Sequence, residues 1–193
     1  MKLIAQSDDY GITPGCAAGA LAAIRHGIIR NTGLFANMPW AKECVDEISP
    51  FLDQIAFGID LNASTGPSLL GHEALPALTK EDGMFYGSRE NRAMDNDENG
   101  HDHLASVSEQ LEDDMTGYLV SDAGGMLSSG KEYGYLVCHC GYADARIFAL
   151  SSFNLCRTKD LEAVTSDAVE QWVKDHGIEL ITFRDLPRDW EEK

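Results

Sequence analysis

Positive charge is scarce in this sequence: 15 Lys and Arg stand against 32 Asp and Glu among 193 residues, a formal net charge of −17. An exterior of that sign repels phosphate backbones and anionic membrane surfaces, which argues against nucleic acid and membrane as partners. Neutral polyols, sugars and divalent cations remain compatible with it, and the same charge also serves solubility. No apolar run approaches the roughly 18 residues of a membrane span. The opening MKLIAQSDDYG turns polar too early for the apolar core of a secretory signal, so a cytoplasmic protein is expected. The five cysteines, Cys16, Cys44, Cys138, Cys140 and Cys156, lack the CxxC spacing of a zinc knuckle and read as reduced, partly buried thiols. Also absent are a phosphate-binding GxxxxGK[ST] loop, a nucleophile-elbow GxSxG, an HExxH helix, internal repeats and low-complexity tracts.

What is present has the length of one well-buried domain, taken as residues 1–193. The apolar run at residues 3–6 stops at Ser7-Asp8-Asp9-Tyr10-Gly11, the way a buried parallel strand ends in a loop. Thr13 and Pro14 then supply an N-cap and a first helical position, and Ala17, Leu21, Ala22 and Ile24 recur at helical spacing up to Gly27. Further strands are predicted at 32–38, 55–61, 135–138 and 178–183, and helices at 40–48, 104–120 and 158–176. The third strand is expected to be buried on both faces. Between them, 67–103 reads as a long loop region rich in Gly, Pro, Asn and Asp. Strands alternating with helices predict a parallel α/β fold whose ligands collect at the C-terminal strand ends.

Asp8, Asp9, Asp60 and His139 fall at those ends. Two adjacent carboxylates cannot share one environment, because side chains alternate and like charges push their titrations apart. One can hold a metal while the other acts as a base; equally, one can cap the following helix while the other is solvated. Asp60, in FGIDLN, needs a cation, an Arg or hydrogen-bond donors if it is buried. His139 follows an apolar strand and precedes Gly141, which suits an imidazole facing an open site as well as a satisfied core histidine. Arg146 and Arg157 can position an aspartate or form ordinary surface ion pairs. His101-Asp102-His103 reads as a solvated loop, and Gly124-Gly125 as a turn.

With these residues in view, the chain resembles the YdjC-like (ChbG) carbohydrate deacetylase family at both ends. SDDYGITPGCAAGALAAIRHGIIRNTGLFANMP is similar to the family's NADDFG strand end, its helix and the next strand, and FGIDLNASTG stands where the family has GLHLNLT-G. DGMFYGSRE resembles its central loop, and LVCHCGYADARIFALSSFNLCRTKDLEAVTSDAVEQWVKDHGIELITFRDL its HPGY segment and closing elements. The resemblance implies a TIM-like (β/α) barrel with parallel strands and removal of acetyl groups from N-acetylated sugars, notably chitooligosaccharides such as diacetylchitobiose. It implies Asp8 as general base, Asp9 as metal ligand and His139 as proton donor, with Arg157 holding Asp8 ionised.

Two departures qualify it. Asp60 replaces the family's third-strand histidine, an oxygen donor that shifts metal preference from zinc toward magnesium or manganese. The family segment bearing the second metal histidine has no counterpart between about His103 and Met115. A complete barrel typically needs about 200 to more than 250 residues, so a distorted, incomplete barrel is expected. Its open strand edges invite pairing with a second copy, a dimer first. The alternative to a working enzyme is an inactive relative that binds sugar or a partner.

Overall fold

Strand β1, Lys2–Tyr10, is the one with which three of the other four described strands pair. The structure is a computed structural model describing residues 1–87, 90, 127 and 129–187. After β1 come α1 (Pro14–His26), β2 (Asn31–Leu34), α2 (Ala41–Ile48) and β3 (Ala56–Ile59). A one-turn helix, α3 (Gly71–Ala74), precedes β4 (Tyr133–Cys138), α4 (Ala145–Leu150), α5 (Leu155–Val164), α6 (Asp167–Asp175) and β5 (Glu179–Ile181). All strand pairs are parallel. This is the α/β barrel-type arrangement, open and incomplete among the described residues.

The register defines how β1 is shared. Lys2–Ile4 pair with both β4 and β5, while Gln6 and Ser7 pair with both β4 and β2. A strand has two edges, so β4 must run along one of them, and β5 and β2 divide the other end to end. Asn31, 1% exposed, sits at their junction. Its amide donates to the carbonyls of Ala5 and Ile181, each at 3.2 Å, and its oxygen accepts the Phe183 N–H at 2.9 Å. Such complete satisfaction is what makes a buried amide tolerable there.

Thr13 caps α1 by accepting the Cys16 N–H at 3.1 Å, with Pro14 in the first turn. That realises the start read from the sequence. The helix buries Ala17, Ala20, Leu21, Ala23 and Ile24 on the core side. Gly15 and Gly19 lie one turn apart against the loop after β4. A Cβ at Gly19 would come within 2.5 Å of Gly141 Cα, and one at Gly15 within 2.7 Å of the Tyr142 carbonyl oxygen. Only hydrogen side chains allow so close an approach.

Three expectations are corrected. The helix predicted over 158–176 is two helices, because Ser166 takes an extended conformation and caps α6 by accepting the Val169 N–H. The third strand is not buried on both faces: as the outer strand of the described sheet, β3 leaves Ile59 67% exposed. Within the predicted loop region, 67–87 carries α3 and antiparallel bridges between Pro67 and Met84 and between Thr79 and Phe85. The helix predicted at 104–120, His101-Asp102-His103 and Gly124-Gly125 lie outside the described residues. All five cysteines are buried, and none is in a disulfide among the described residues.

Candidate active site

At the C-terminal end of β1 the pairing slips. Ser7 faces Thr32 and Tyr10 faces Leu34, so β1 spends three steps where β2 spends two. The extra residue is accommodated at Asp9, whose φ of +62° is left-handed. A non-glycine residue held there is uncommon, and such strain gathers at functional sites. The turn aims the Asp9 N–H at Asp60, which accepts it through Oδ2 at 2.8 Å. Asp60 follows β3 directly, with its carboxylate over Gly33 of β2; a Cβ at Gly33 would lie 1.8 Å from Asp60 Oδ1.

Asp8 and Asp9 point to different partners. Asp8 Oδ1 accepts from Gln6 Nε2, and Gln6 Oε1 in turn accepts the Tyr135 hydroxyl at 3.1 Å. Asp9 Oδ2 pairs with Arg157 Nη2 at 2.6 Å. The arginine expected to serve Asp8 therefore serves Asp9, because the bulge turns Asp9 toward α5. Arg157, only 2% exposed, also donates through Nε to the Phe153 carbonyl at 2.8 Å. The Arg146 guanidinium pairs with no aspartate among the described residues and lies 5.5 Å from the Trp40 ring centre, while its backbone N–H donates to Asp144 Oδ1 at 2.9 Å.

His139 comes directly after β4. Its ring meets Phe153 edge-on, with centres 4.9 Å apart, and its backbone N–H donates to Asp160 Oδ2 at 2.7 Å. Ser7 links the two strand ends, since its hydroxyl accepts the Cys140 N–H at 3.0 Å. Thus the ends of β1, β3 and β4 bring together Asp8, Asp9, Asp60 and His139, with Arg157 behind them. Gln6, Gly33, Phe153 and Asp160 also build the site and were not singled out from the sequence. Gly33 carried a signal, a lone glycine within a strand pattern. Asp160 carried a weaker one, three residues beyond Arg157 and so on the same helix face.

Burial pushes the Asp60 carboxyl up from its ordinary value; the Asp9 N–H opposes this, the charges of Asp8 and Asp9 add to it, and His139 lowers it. A folded-state value above the unfolded one favours the fold at low pH, and that contribution is lost as pH rises through the raised value. Asp60→Asn keeps an acceptor for Asp9 and removes the repulsion. Without added metal, the variant should melt a few degrees above wild type at pH 7, with the gain vanishing below the ordinary 3.8. Equal melting temperatures across that range would contradict the electrostatic reading.

As a donor set, Asp9 and Asp60 each have one oxygen engaged and one left among the described residues. Two hard oxygens suit a cation that keeps several waters, as magnesium does. Among the described residues no three His, Cys, Asp or Glu converge as a metal-binding group, so they do not form a three-ligand zinc site.

Parallel strands with three carboxylates and a histidine gathered at their C-terminal ends define the class, an α/β barrel-type protein with its candidate site at those ends. The chain belongs to the YdjC-like family, whose profile, described as YdjC-like protein, matches residues 2–113. A carbohydrate deacetylase of Thermoanaerobacter pseudethanolicus is 32% identical over 83 residues, covering 43% of this chain and 33% of the relative. One from Listeria monocytogenes serotype 4b is 35% identical over 102 residues, covering 51% and 40%. Another, from serotype 4a, is 28% identical over 199 residues, covering 91% and 76%. The first two alignments span a third to two fifths of those relatives' length. The fold is shared with the crystal structure of an Enterococcus faecalis V583 protein ascribed to cellobiose-phosphate cleavage, at a TM-score of 0.77 and 18% identity, covering 95% of this chain and 98% of that one. No helix among the described residues is long and apolar enough to cross a membrane.

Proposed function

We propose that this chain is a carbohydrate deacetylase that hydrolyses the acetamide of N-acetylated sugars, chitooligosaccharides such as diacetylchitobiose among them, with a divalent cation, magnesium first, as cofactor. The observation that carries the reading is the gathering of Asp8, Asp9, Asp60 and His139 from three strand ends in a chain of this family. Amide hydrolysis needs a proton taken from water and another given to the departing nitrogen. Asp8, with one oxygen steadied by Gln6, takes the first, and His139, steadied against Phe153, gives the second. Asp9 and Asp60 would hold the cation. When bound, it contributes Lewis-acid polarisation of the amide carbonyl. Arg157 fixes the Asp9 carboxylate from behind.

The test is acetate release from diacetylchitobiose with magnesium, manganese or zinc, against an Asp8→Asn/Asp9→Asn control. Release above the control, highest with magnesium or manganese, is expected; no release with any metal removes the reading for these substrates. A second reading, sugar binding without turnover, draws on the two-carboxylate donor set, and calorimetric binding of the same sugar without acetate release would favour it. Pairing of a second copy along the outer edge of β3 or β4 belongs to the first reading as well. A light-scattering mass of two chains is expected, and a mass of one chain removes the dimer.

A further inference from the structure

Helix α5 carries two buried ionisable side chains one turn apart, and each grips a different half of the cluster. Arg157 holds Asp9 at 2.6 Å; Asp160 holds the His139 backbone N–H at 2.7 Å. The next two amides are captured as well, Cys140 N–H by the Ser7 hydroxyl at 3.0 Å and Gly141 N–H by the Arg157 carbonyl at 3.1 Å. Three consecutive donors after β4 are thus fixed by β1 and α5, and Asp160 is the only charged group among their acceptors.

Asp160 is a costly residue to keep there. It is 2% exposed, and its Oδ1 has no hydrogen-bond partner among the described residues. Burial pushes its carboxyl up, while the His139 N–H and the charges of His139 and Arg157 pull it down. A buried carboxylate with one oxygen unmatched is weak support for stability, and an apolar side chain would fill the space with less penalty. What it does supply is a short, charge-assisted bond to the backbone of the residue whose side chain faces the site.

We propose that Asp160 is the positioning residue for His139, so that α5, gripping Asp9 through Arg157 and His139 through Asp160, sets the spacing between the two sides of the active site. The inference rests on the deacetylase reading only for its kinetic consequence, because the backbone bond itself does not depend on any substrate. Misplacing a reacting group by about 1 Å can cost on the order of 100-fold in rate.

The test uses Asp160→Asn, which keeps a neutral acceptor, and Asp160→Leu, which removes it, in the full chain. In the substrate-free protein, the His139 amide proton is expected far downfield in wild type, shifted upfield in the Asn variant and further upfield in the Leu variant. With N-acetylated chitooligosaccharide, kcat should fall by roughly 10- to 100-fold in Leu and less in Asn, with KM within about twofold. A purely structural residue would lower the melting temperature and leave kcat per folded molecule unchanged, and that result overturns the proposal. An unmoved His139 amide in the Asn variant overturns it even if Leu does not fold. If wild type releases no acetate, the deacetylase reading falls, and the amide shifts still decide the positioning role.

Discussion

Replacing Arg157 by Met is expected to lower the unfolding free energy by roughly 3 kcal/mol and to abolish acetate release. Removing one partner of a buried ion pair leaves the other charge uncompensated, which typically costs about 3–5 kcal/mol. Asp9 keeps some contact with solvent, at 21% side-chain exposure against 2% for Arg157, which places the loss at the lower end of that range. The guanidinium also donates to the Phe153 carbonyl and lies 5.5 Å from the Phe153 ring centre. The substitution therefore loosens the aromatic wall behind His139 together with Asp9. Lysine keeps the charge but cannot reproduce a fork that serves a carboxylate and a carbonyl at once. Arg157→Lys should recover part of the stability and little of the activity. Urea unfolding of both variants checks the first figure, and an Arg157→Met protein as stable as wild type would show the pair to be energetically idle.

Substitution of His139 by Ala is expected to act in the opposite proportion. Losing a general acid typically costs about 10²- to 10⁴-fold in turnover. The fold should be nearly indifferent: His139 is only partly buried, its ring packs mainly against Phe153, and its backbone N–H remains bonded to Asp160. Steady-state acetate release gives the first quantity and thermal melting the second. Added imidazole should restore a fraction of the lost rate if the ring delivers a proton. An alanine variant with wild-type turnover would remove His139 from the chemistry.

The contrast between these two residues shows what local pattern can convey. An apolar run that stops at polar residues marks a strand end, and three such stops carried Asp8, Asp9, Asp60 and His139 to one side of the sheet. The Thr13-Pro14 start of α1 was legible for the same reason, since capping is a matter between neighbours in sequence. Arg157 was legible as an arginine near the site, but its partner was not. Which of two adjacent aspartates it meets depends on the bulge at Asp9, and nothing in SDDYG declares a left-handed residue. The role of Asp160 was not legible for a related reason: its value lies in an amide 21 residues away.

Composition and periodicity by themselves determined that this chain is an acidic, parallel α/β protein with its carboxylates and histidine at strand ends. Those properties arise from short-range rules of burial and capping. Only the tertiary structure decided that β2 and β5 share one edge of β1 around Asn31, that Gly33 makes room for Asp60, and that α5 clamps Asp9 and His139 together. Each of these is a contact between segments far apart in the chain. Their geometry is set by strand register and helix packing, which a linear pattern constrains only loosely.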